Sequence, residues 1–150
     1  MKTSELTNRL TLNPHTRRHF LGTFPSDMCP RKATPLTCFV SNTQPHTQPG
    51  QHWIAFYVKS DGNIFYFDPY GLPPISINHL KFLRKSTDKR GTYNTQQLQN
   101  LYSKTCGAHC INFLIETCRT QDPQHTVDNY LNLPTNFTDR LVEPLMSVHQ

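Results

Sequence analysis

Two runs of aromatic and β-branched residues in the middle of the chain form its clearest hydrophobic pattern. The runs are "HWIAFYV" (residues 52–58) and "NIFYFDPYG" (residues 63–71), and the segment between them contains Asp61-Gly62, a dipeptide typical of hairpin turns. Successive positions along both runs are apolar, so both faces of each strand are apolar. This is typical of strands that are covered on both faces. The pattern therefore predicts an antiparallel hairpin inside a covered sheet.

Helical patterns follow the hairpin. Residues 73–89 read as a loop and then a helix from about Ser76, with an apolar side made of Leu80, Phe82 and Leu83. The nearly all-apolar stretch that starts at Gly107 predicts a buried central helix ending near Thr120. Residues 93–103 are predicted to form a strand that leads into Cys106.

The remaining segments are shorter or more polar. Residues 1–19 are expected to be loose or to form a short helix, and residues 20–24 and 35–42 are short apolar segments. After the central helix we expect another short helix and a loose end from about residue 135. Together these elements predict a single domain over residues 1–150, of the α+β class, with a central mixed or antiparallel sheet.

Composition limits the protein classes that fit. The chain has 150 residues, is only 35% hydrophobic, and contains nine Phe, six Tyr and one Trp, which argues against disorder. No run of about 18 apolar residues is present, so no membrane partner is expected. The N-terminal residues lack the apolar core of a secretory signal, so we expect an intracellular protein.

The net charge of +5 comes from basic residues in two regions. One is the run "HLKFLRKSTDKRG" (residues 79–91), and the other comprises Arg17, Arg18, Arg31 and Lys32. Such residues form either a solvated face or an electrostatic contact with nucleic acid or an acidic partner. No nucleic-acid-binding motif is present to decide between these alternatives.

Five cysteines without a secretory signal favour reduced thiols over disulfides. Among them, Cys106 admits three interpretations: a buried structural thiol, a metal ligand or a nucleophile. The spacing of Cys106 and Cys110, with His109 between them, lacks the second ligand pair of a zinc site, so no metal is predicted. The predicted helix places Cys106 at its N-terminus, where backbone N–H groups and the helix dipole favour a thiolate.

A thiol nucleophile needs a base, a residue that orients the base, and an oxyanion hole. His52 opens the first strand of the predicted hairpin and Asp68 closes the second, so the two can be neighbours across the pair. Asp68 would then accept the imidazole N–H of His52. Gln99 and the backbone N–H of Cys106 are candidate oxyanion donors, and Gly107 keeps the entry to that pocket small.

Four motifs together resemble the adenovirus protease (adenain) family of cysteine peptidases. They are "FLGTF" at residues 20–24, His52-Trp53, "DPYG" at residues 68–71, and Gln99 placed seven residues before Cys106-Gly107. Their order and spacing are specific, whereas each motif alone would be weak. The match spans residues 20–114, with a fading echo in "LNLPTNFT" near the C-terminus.

The resemblance implies an adenain-like fold whose buried helix carries the nucleophile at its N-terminus. It assigns His52, Asp68, Gln99 and Cys106 to catalysis, and it suggests Gly22, Trp53 and Gly107 for substrate binding, although Trp53 is equally compatible with a core position. The expected activity is cleavage of polypeptides after Gly, in structural precursors of viruses or virus-like mobile elements. A monomer in the host nucleus or the virion is expected, with no cofactor required by the chemistry and with a peptide or DNA as candidate activators.

Three departures from the family pattern qualify these expectations. Asp68 stands where adenovirus enzymes typically have Glu, although the related SUMO and ubiquitin-like-protein proteases use Asp. The chain has no cysteine between Asp68 and Gln99, where a covalently linked activator would attach, and only 44 residues follow Cys106. Two alternatives stay open: a protease that processes ubiquitin-like modifiers, and an inactive relative that binds DNA or protein.

Overall fold

A mixed five-stranded sheet forms the centre of the computed structural model, which describes residues 1–45, 47, 52–98 and 105–129. The strands lie in chain order: β1 (Phe20–Phe24), β2 (Cys38–Asn42), β3 (Trp53–Val58), β4 (Ile64–Phe67) and β5 (Thr92–Tyr93). The helices are α1 (Thr3–Leu12), α2 (Ile77–Leu83), α3 (Cys106–Thr120) and α4 (Pro123–Asp128). A single 3-10 turn spans Ser26–Met28. These elements confirm the α+β class.

The predicted hairpin is confirmed as the antiparallel pair β3–β4, in which Ala55 faces Phe67 and Val58 faces Ile64. Strand β2 also pairs with β3 in antiparallel fashion, whereas the outer strands β1 and β5 run parallel to their neighbours. Gly62 closes the turn with a φ of 84°, a conformation that glycine adopts without a steric penalty. The hairpin therefore occupies the interior of the sheet, as its apolar pattern predicts.

Two hydrophobic cores lie on opposite faces of the sheet because successive side chains of a strand point in opposite directions. Ala55 and Tyr57 of β3 belong to the core beneath α1, α3 and α4, and Ile54 and Phe56 belong to the core beneath α2. All four residues are almost completely buried. Both faces are thus covered, which explains why β3 and β4 lack an alternating polar pattern.

Helix α3 is the predicted buried central helix, and it packs against β3 and α1. Its residue Phe113 stacks on Phe67 of β4, with ring centroids 4.1 Å apart and ring planes within 6° of each other. The helix ends at Thr120, and Gln121 then adopts the left-handed conformation at a φ of 59°. This packing fixes the N-terminus of α3 beside the start of β3.

The predicted strand at residues 93–103 is wrong where it can be compared. Strand β5 contains only Thr92 and Tyr93, and the described residues after it, 94–98, form no strand. The side-chain amide of Asn94 pairs with the backbone of Asp68 at the point where the backbone of a longer strand would pair. The rest of the predicted strand, residues 99–103, lies outside the described residues.

The predictions for the two chain ends can be compared with the structure to different extents. Residues 3–12 form α1, whose Leu6 and Leu10 are fully buried in the core beneath α3. The short helix expected after α3 is confirmed as α4, and the end predicted from about residue 135 lies outside the described residues. None of the helices that the structure describes combines the length and the apolar character needed to cross a bilayer.

Candidate active site

His52 and Asp68 meet at one end of the β3–β4 hairpin. His52 immediately precedes β3 and Asp68 immediately follows β4. The Nε2 atom of His52 lies 2.7 Å from Oδ1 of Asp68, and their side chains are 14% and 6% exposed, respectively. The same carboxylate oxygen accepts a hydrogen bond of 2.8 Å from the backbone N–H of Tyr70. The sequence-based expectation that these two residues are neighbours therefore agrees with the geometry.

The hairpin register adds a contact that the sequence did not indicate. If the pairing of Ala55 with Phe67 is continued beyond the strand ends, His52 lies opposite Tyr70 and diagonal to Asp68. The rings of His52 and Tyr70 stack with centroids 4.5 Å apart and planes 16° apart. Tyr70 thus covers one face of the imidazole, while Asp68 holds one of its edges.

Cys106 is the first residue of α3, so its sulfur lies where the helix dipole and the first N–H groups stabilise negative charge. The thiol shares a hydrogen bond with His52 and receives hydrogen bonds from the backbone N–H groups of Trp53 and Gly107. Because Asp68 occupies Nε2 of the imidazole, Nδ1 is the ring nitrogen left available to the thiol. His52 therefore connects Asp68 to Cys106.

The electrostatics of the pair favour separated charges. Burial raises the pKa of the Cys106 thiol, but the His52 hydrogen bond and charge and the two backbone N–H groups outweigh it, so the pKa falls below its ordinary value. Burial also lowers the pKa of His52, but hydrogen bonds and charge from Asp68 and Cys106 reverse this and raise it to about 9. The lowered pKa of the thiol and the raised pKa of the imidazole both shift the pair toward a thiolate beside an imidazolium.

The residues suggested for substrate binding lie in different places. Gly107 is buried, and a Cβ there would lie 3.3 Å from Cδ1 of Trp53 and 3.3 Å from Cβ of Met1, so its small size permits close packing. Trp53 is half-buried and donates its indole N–H to the Met1 carbonyl at 3.3 Å. Gly22 lies in β1 at a φ of 139°, near the ring of Phe24. The structure thus brings Trp53 and Gly107, but not Gly22, into contact with the Cys106 region.

Gln99, the candidate oxyanion donor, lies outside the described residues. The segment that leads to Gln99 is held against the turn at residues 68–71, because the backbone N–H of Leu98 donates to the Pro69 carbonyl at 2.8 Å. Asn94 and Tyr70 are two further residues at this end of the hairpin to which the sequence assigned no role. Tyr70 stands inside a recognised motif, whereas Asn94 has no distinguishing pattern around it.

The other four cysteines are also free thiols, and the groups that shift the His52 pKa are Asp68 and Cys106 rather than any of these four. Cys110 is fully buried one turn after Cys106, and Cys29 lies on the other face of the sheet. Cys38 and Cys118 form a pair with sulfur atoms 3.8 Å apart. Within the described part of the chain, no group of three or more His, Cys, Asp or Glu residues is arranged to hold a metal ion.

The two basic regions of the sequence come together around one surface cavity of about 190 Å³. Arg31 contributes from the loop after β1, and Lys81 and Lys85 contribute from α2 and the residues that follow it. Asp27 also lines this cavity and lowers the local positive charge. The cavity lies on the α2 side of the sheet, whereas Cys106 begins the helix on the opposite side.

Comparison with known proteins finds similarity to a viral protease. The chain is 34% identical over 113 aligned residues to a protease of Human adenovirus B serotype 3. The alignment covers 64% of this chain and 53% of the relative, so the chain spans about half the length of the curated relative. No family model matches the chain.

A solved structure of the ASFV pS273R protease is also similar, with a TM-score of 0.49 and 18% sequence identity. That similarity covers 68% of this chain and 41% of the other. The comparison confirms that the chain resembles the adenovirus protease family.

Proposed function

We propose that this chain is a cysteine endopeptidase in which Cys106 is the nucleophile, His52 the general base and acid, and Asp68 the residue that orients His52. The observation that carries the proposal is that His52 hydrogen-bonds Asp68 through Nε2 and also hydrogen-bonds Cys106. This is the constellation that nucleophilic acyl transfer requires. The similarity to a viral protease supports the same reaction class.

The reaction begins when the Cys106 thiolate attacks the carbonyl carbon of the scissile peptide bond. The imidazolium of His52 then gives its Nδ1 proton to the leaving amine, and an acyl-enzyme thioester remains. In the second half, His52 takes a proton from water while the resulting hydroxide attacks the thioester. The tetrahedral intermediate then expels the Cys106 thiolate, which releases the acid product and restores the thiolate–imidazolium pair. Asp68 keeps its charge throughout and stabilises the imidazolium through Nε2.

The negative charge on the carbonyl oxygen needs donors in both halves of the reaction. The backbone N–H of Cys106, at the start of α3, supplies one donor in this proposal. The amide of Gln99 supplies the second, as the resemblance to the adenovirus protease family implies. Loss of the Gln99 donor is expected to cost on the order of 3 kcal/mol in transition-state stabilisation, by analogy with other oxyanion holes.

The proposed substrates are structural precursor proteins of a virus or virus-like element, cleaved after Gly. Trp53 is half-buried next to His52 and is proposed to line the cleft near the scissile bond. The basic cavity formed by Arg31, Lys81 and Lys85 supports DNA as a second partner, because clustered cations neutralise phosphates. We further propose that the protein is a monomer, that a peptide activates it non-covalently, and that it is located in the host nucleus or the virion.

The proposal is tested with a quenched fluorescent peptide that carries Gly at the cleavage position, in the presence and absence of DNA and at two salt concentrations. Cys106→Ala is expected to abolish turnover. Cys29→Ser serves as the matched control, because Cys29 is a half-buried thiol on the opposite face of the sheet and should leave turnover unchanged.

Equal turnover in Cys106→Ala and the unaltered protein would contradict the assignment of the nucleophile. A probe that carries the C-terminal Gly-Gly of a ubiquitin-like modifier tests the alternative, a protease that processes such modifiers. Rapid capture of that probe without cleavage of the internal peptide would replace the endopeptidase proposal by a modifier-processing activity. DNA stimulation that disappears at high salt would support the basic cavity as a phosphate contact.

A further inference from the structure

Asn94 bridges two segments that the proposed reaction must keep together. It follows the two-residue strand β5 and is only 1% exposed. Its Oδ1 accepts a hydrogen bond from the backbone N–H of Asp68 at 2.9 Å, and its Nδ2 donates to the Asp68 carbonyl at 2.7 Å. The same Nδ2 donates to the backbone carbonyl of Gln96 at 3.2 Å.

A carboxamide suits this position because it has the donor and acceptor arrangement of a peptide group. Strand β5 pairs with β4 only through Thr92 and Tyr93, and the Asn94 side chain then continues the ladder to Asp68. Replacement by an apolar side chain would leave the buried N–H of Asp68 without this partner, which is costly, whereas the Asp68 carbonyl would keep the 2.8 Å hydrogen bond that it accepts from the Gly71 N–H. The backbone of Asp68 is therefore held by Asn94 at both of its polar groups, with Gly71 as a second donor to the carbonyl.

These hydrogen bonds affect the site because the position of the Asp68 backbone determines where its carboxylate lies. The carboxylate accepts hydrogen bonds from His52 and from the Tyr70 N–H on the same oxygen, so a small backbone shift would misalign both. Asn94 also bonds the Gln96 carbonyl, and the Leu98 N–H bonds the Pro69 carbonyl. These two hydrogen bonds hold residues 96–98 against the turn at residues 68–71. Gln99 is the next residue along the chain.

We propose that Asn94 is a positioning residue that aligns Asp68 with His52 and fixes the segment leading to Gln99. This inference rests on the proposed protease function for its consequence in catalysis. Its structural part, the alignment of Asp68 with His52, is measurable without any substrate. Asn94 acts through Asp68 and the 96–98 segment and does not touch the reacting atoms.

The experiment measures the pKa of the His52 imidazole by NMR titration in the full chain carrying Asn94→Leu or Asn94→Ser. Leu matches the size of Asn without its polar atoms, and Ser keeps a small hydroxyl should the Leu variant not fold. Asn63→Ala is the matched control, because Asn63 braces a loop at the opposite end of β4 through the Asp88 N–H and the Ser86 hydroxyl. Asp68, Cys106 and Tyr70 are the titratable groups around His52 in the described residues, and all variants retain them.

We expect the His52 pKa to fall by about one unit or more in the Asn94 variants, toward its ordinary value, because Asp68 no longer holds the imidazolium in place. Asn63→Ala should lower thermal stability while leaving the His52 pKa unchanged. In the peptide assay, the Asn94 variants should lose about tenfold or more in kcat with little change in KM.

The outcomes separate this inference from the proposed function. A folded Asn94 variant with an unchanged His52 pKa would overturn the positioning role, even if the unaltered protein cleaves peptides. A lowered His52 pKa in the Asn94 variants would support the role, even if the unaltered protein cleaves no peptide and the protease proposal fails. Equal pKa shifts in the Asn94 and Asn63 variants would also overturn it, because they would indicate a general loss of structure.

Discussion

His79 is expected to make the folded protein sensitive to acid. His79 belongs to α2, and its side chain is fully buried between this helix and the sheet. Its Nε2 lies 2.8 Å from the Ser41 hydroxyl, and its ring contacts Phe56 edge-on and Tyr66 at a tilt. The other ring nitrogen, Nδ1, is buried and has no hydrogen-bond partner among the residues that the structure describes. Burial therefore lowers the pKa of His79 from its ordinary 6.5 to about 4.

The sign and size of the effect follow from this shift. The unfolded chain binds a proton at His79 below about pH 6.5, whereas the folded chain resists it until about pH 4. The stabilisation by neutral His79 is thus fully present above about pH 6.5 and is lost as the pH falls through this window. A shift of about 2.5 units corresponds to roughly 3 kcal/mol, a large part of the stability of an ordinary domain.

The assay is urea unfolding at several pH values between about 7.5 and 4, followed by the fluorescence of Trp53, the only tryptophan of the chain. His79→Gln is the comparison, because Gln can hydrogen-bond Ser41 but does not titrate. The unaltered protein should lose about 3 kcal/mol more than His79→Gln over this range, since the other titrating groups are shared. Parallel stability curves for the two proteins would show that His79 does not cause the loss of stability in acid.

Three further substitutions test the site and its support. Asp68→Asn should lower the pKa of His52 and reduce kcat by about tenfold or more, measured by NMR titration and peptide cleavage, because it removes the charge that stabilises the imidazolium. Gly71→Ala should reduce both stability and turnover, because Gly71 has a φ of 71° and its new Cβ would lie 2.6 Å from the Gln96 carbonyl carbon. Gly91→Ala, at a φ of 69°, is its control and should reduce stability alone. Gly107→Ala should shift the Trp53 fluorescence and lower the melting temperature, because Trp53 Cδ1 would lie 3.3 Å from the new Cβ.

The central hairpin was predictable because its signals are local. Apolar residues on both faces of residues 52–58 and 64–67 indicate covered strands, and the Asp61-Gly62 turn indicates how they are joined. A hairpin brings its outer ends together whatever surrounds it, so the proximity of His52 and Asp68 followed directly. The start of α3 at Cys106 was predictable because a nearly continuous apolar run begins there.

The other contacts of the site depend on the register of the strands or join residues that are far apart in the sequence. The stacking of Tyr70 on His52 follows from which residues face each other, and this depends on the turn and on core packing as well as on the hydrophobic pattern. Asn94 lies 26 residues beyond Asp68 in a polar segment, and no periodicity marks it among the other asparagines. The meeting of Arg31 with Lys81 and Lys85 likewise requires the tertiary fold.

The most direct test of the account is the pH dependence of Cys106 alkylation by iodoacetamide, with each labelled cysteine identified by mass spectrometry. Cys118 is an internal reference, because its pKa is also lowered, but by a hydrogen bond from Cys38, which does not involve His52. An activated Cys106 is expected to be labelled fast well below about pH 8, and His52→Ala should abolish this fast labelling while leaving the labelling of Cys118 unchanged. Slow labelling of Cys106 with an ordinary thiol profile, or fast labelling that survives His52→Ala, would contradict an activated thiolate–imidazolium pair.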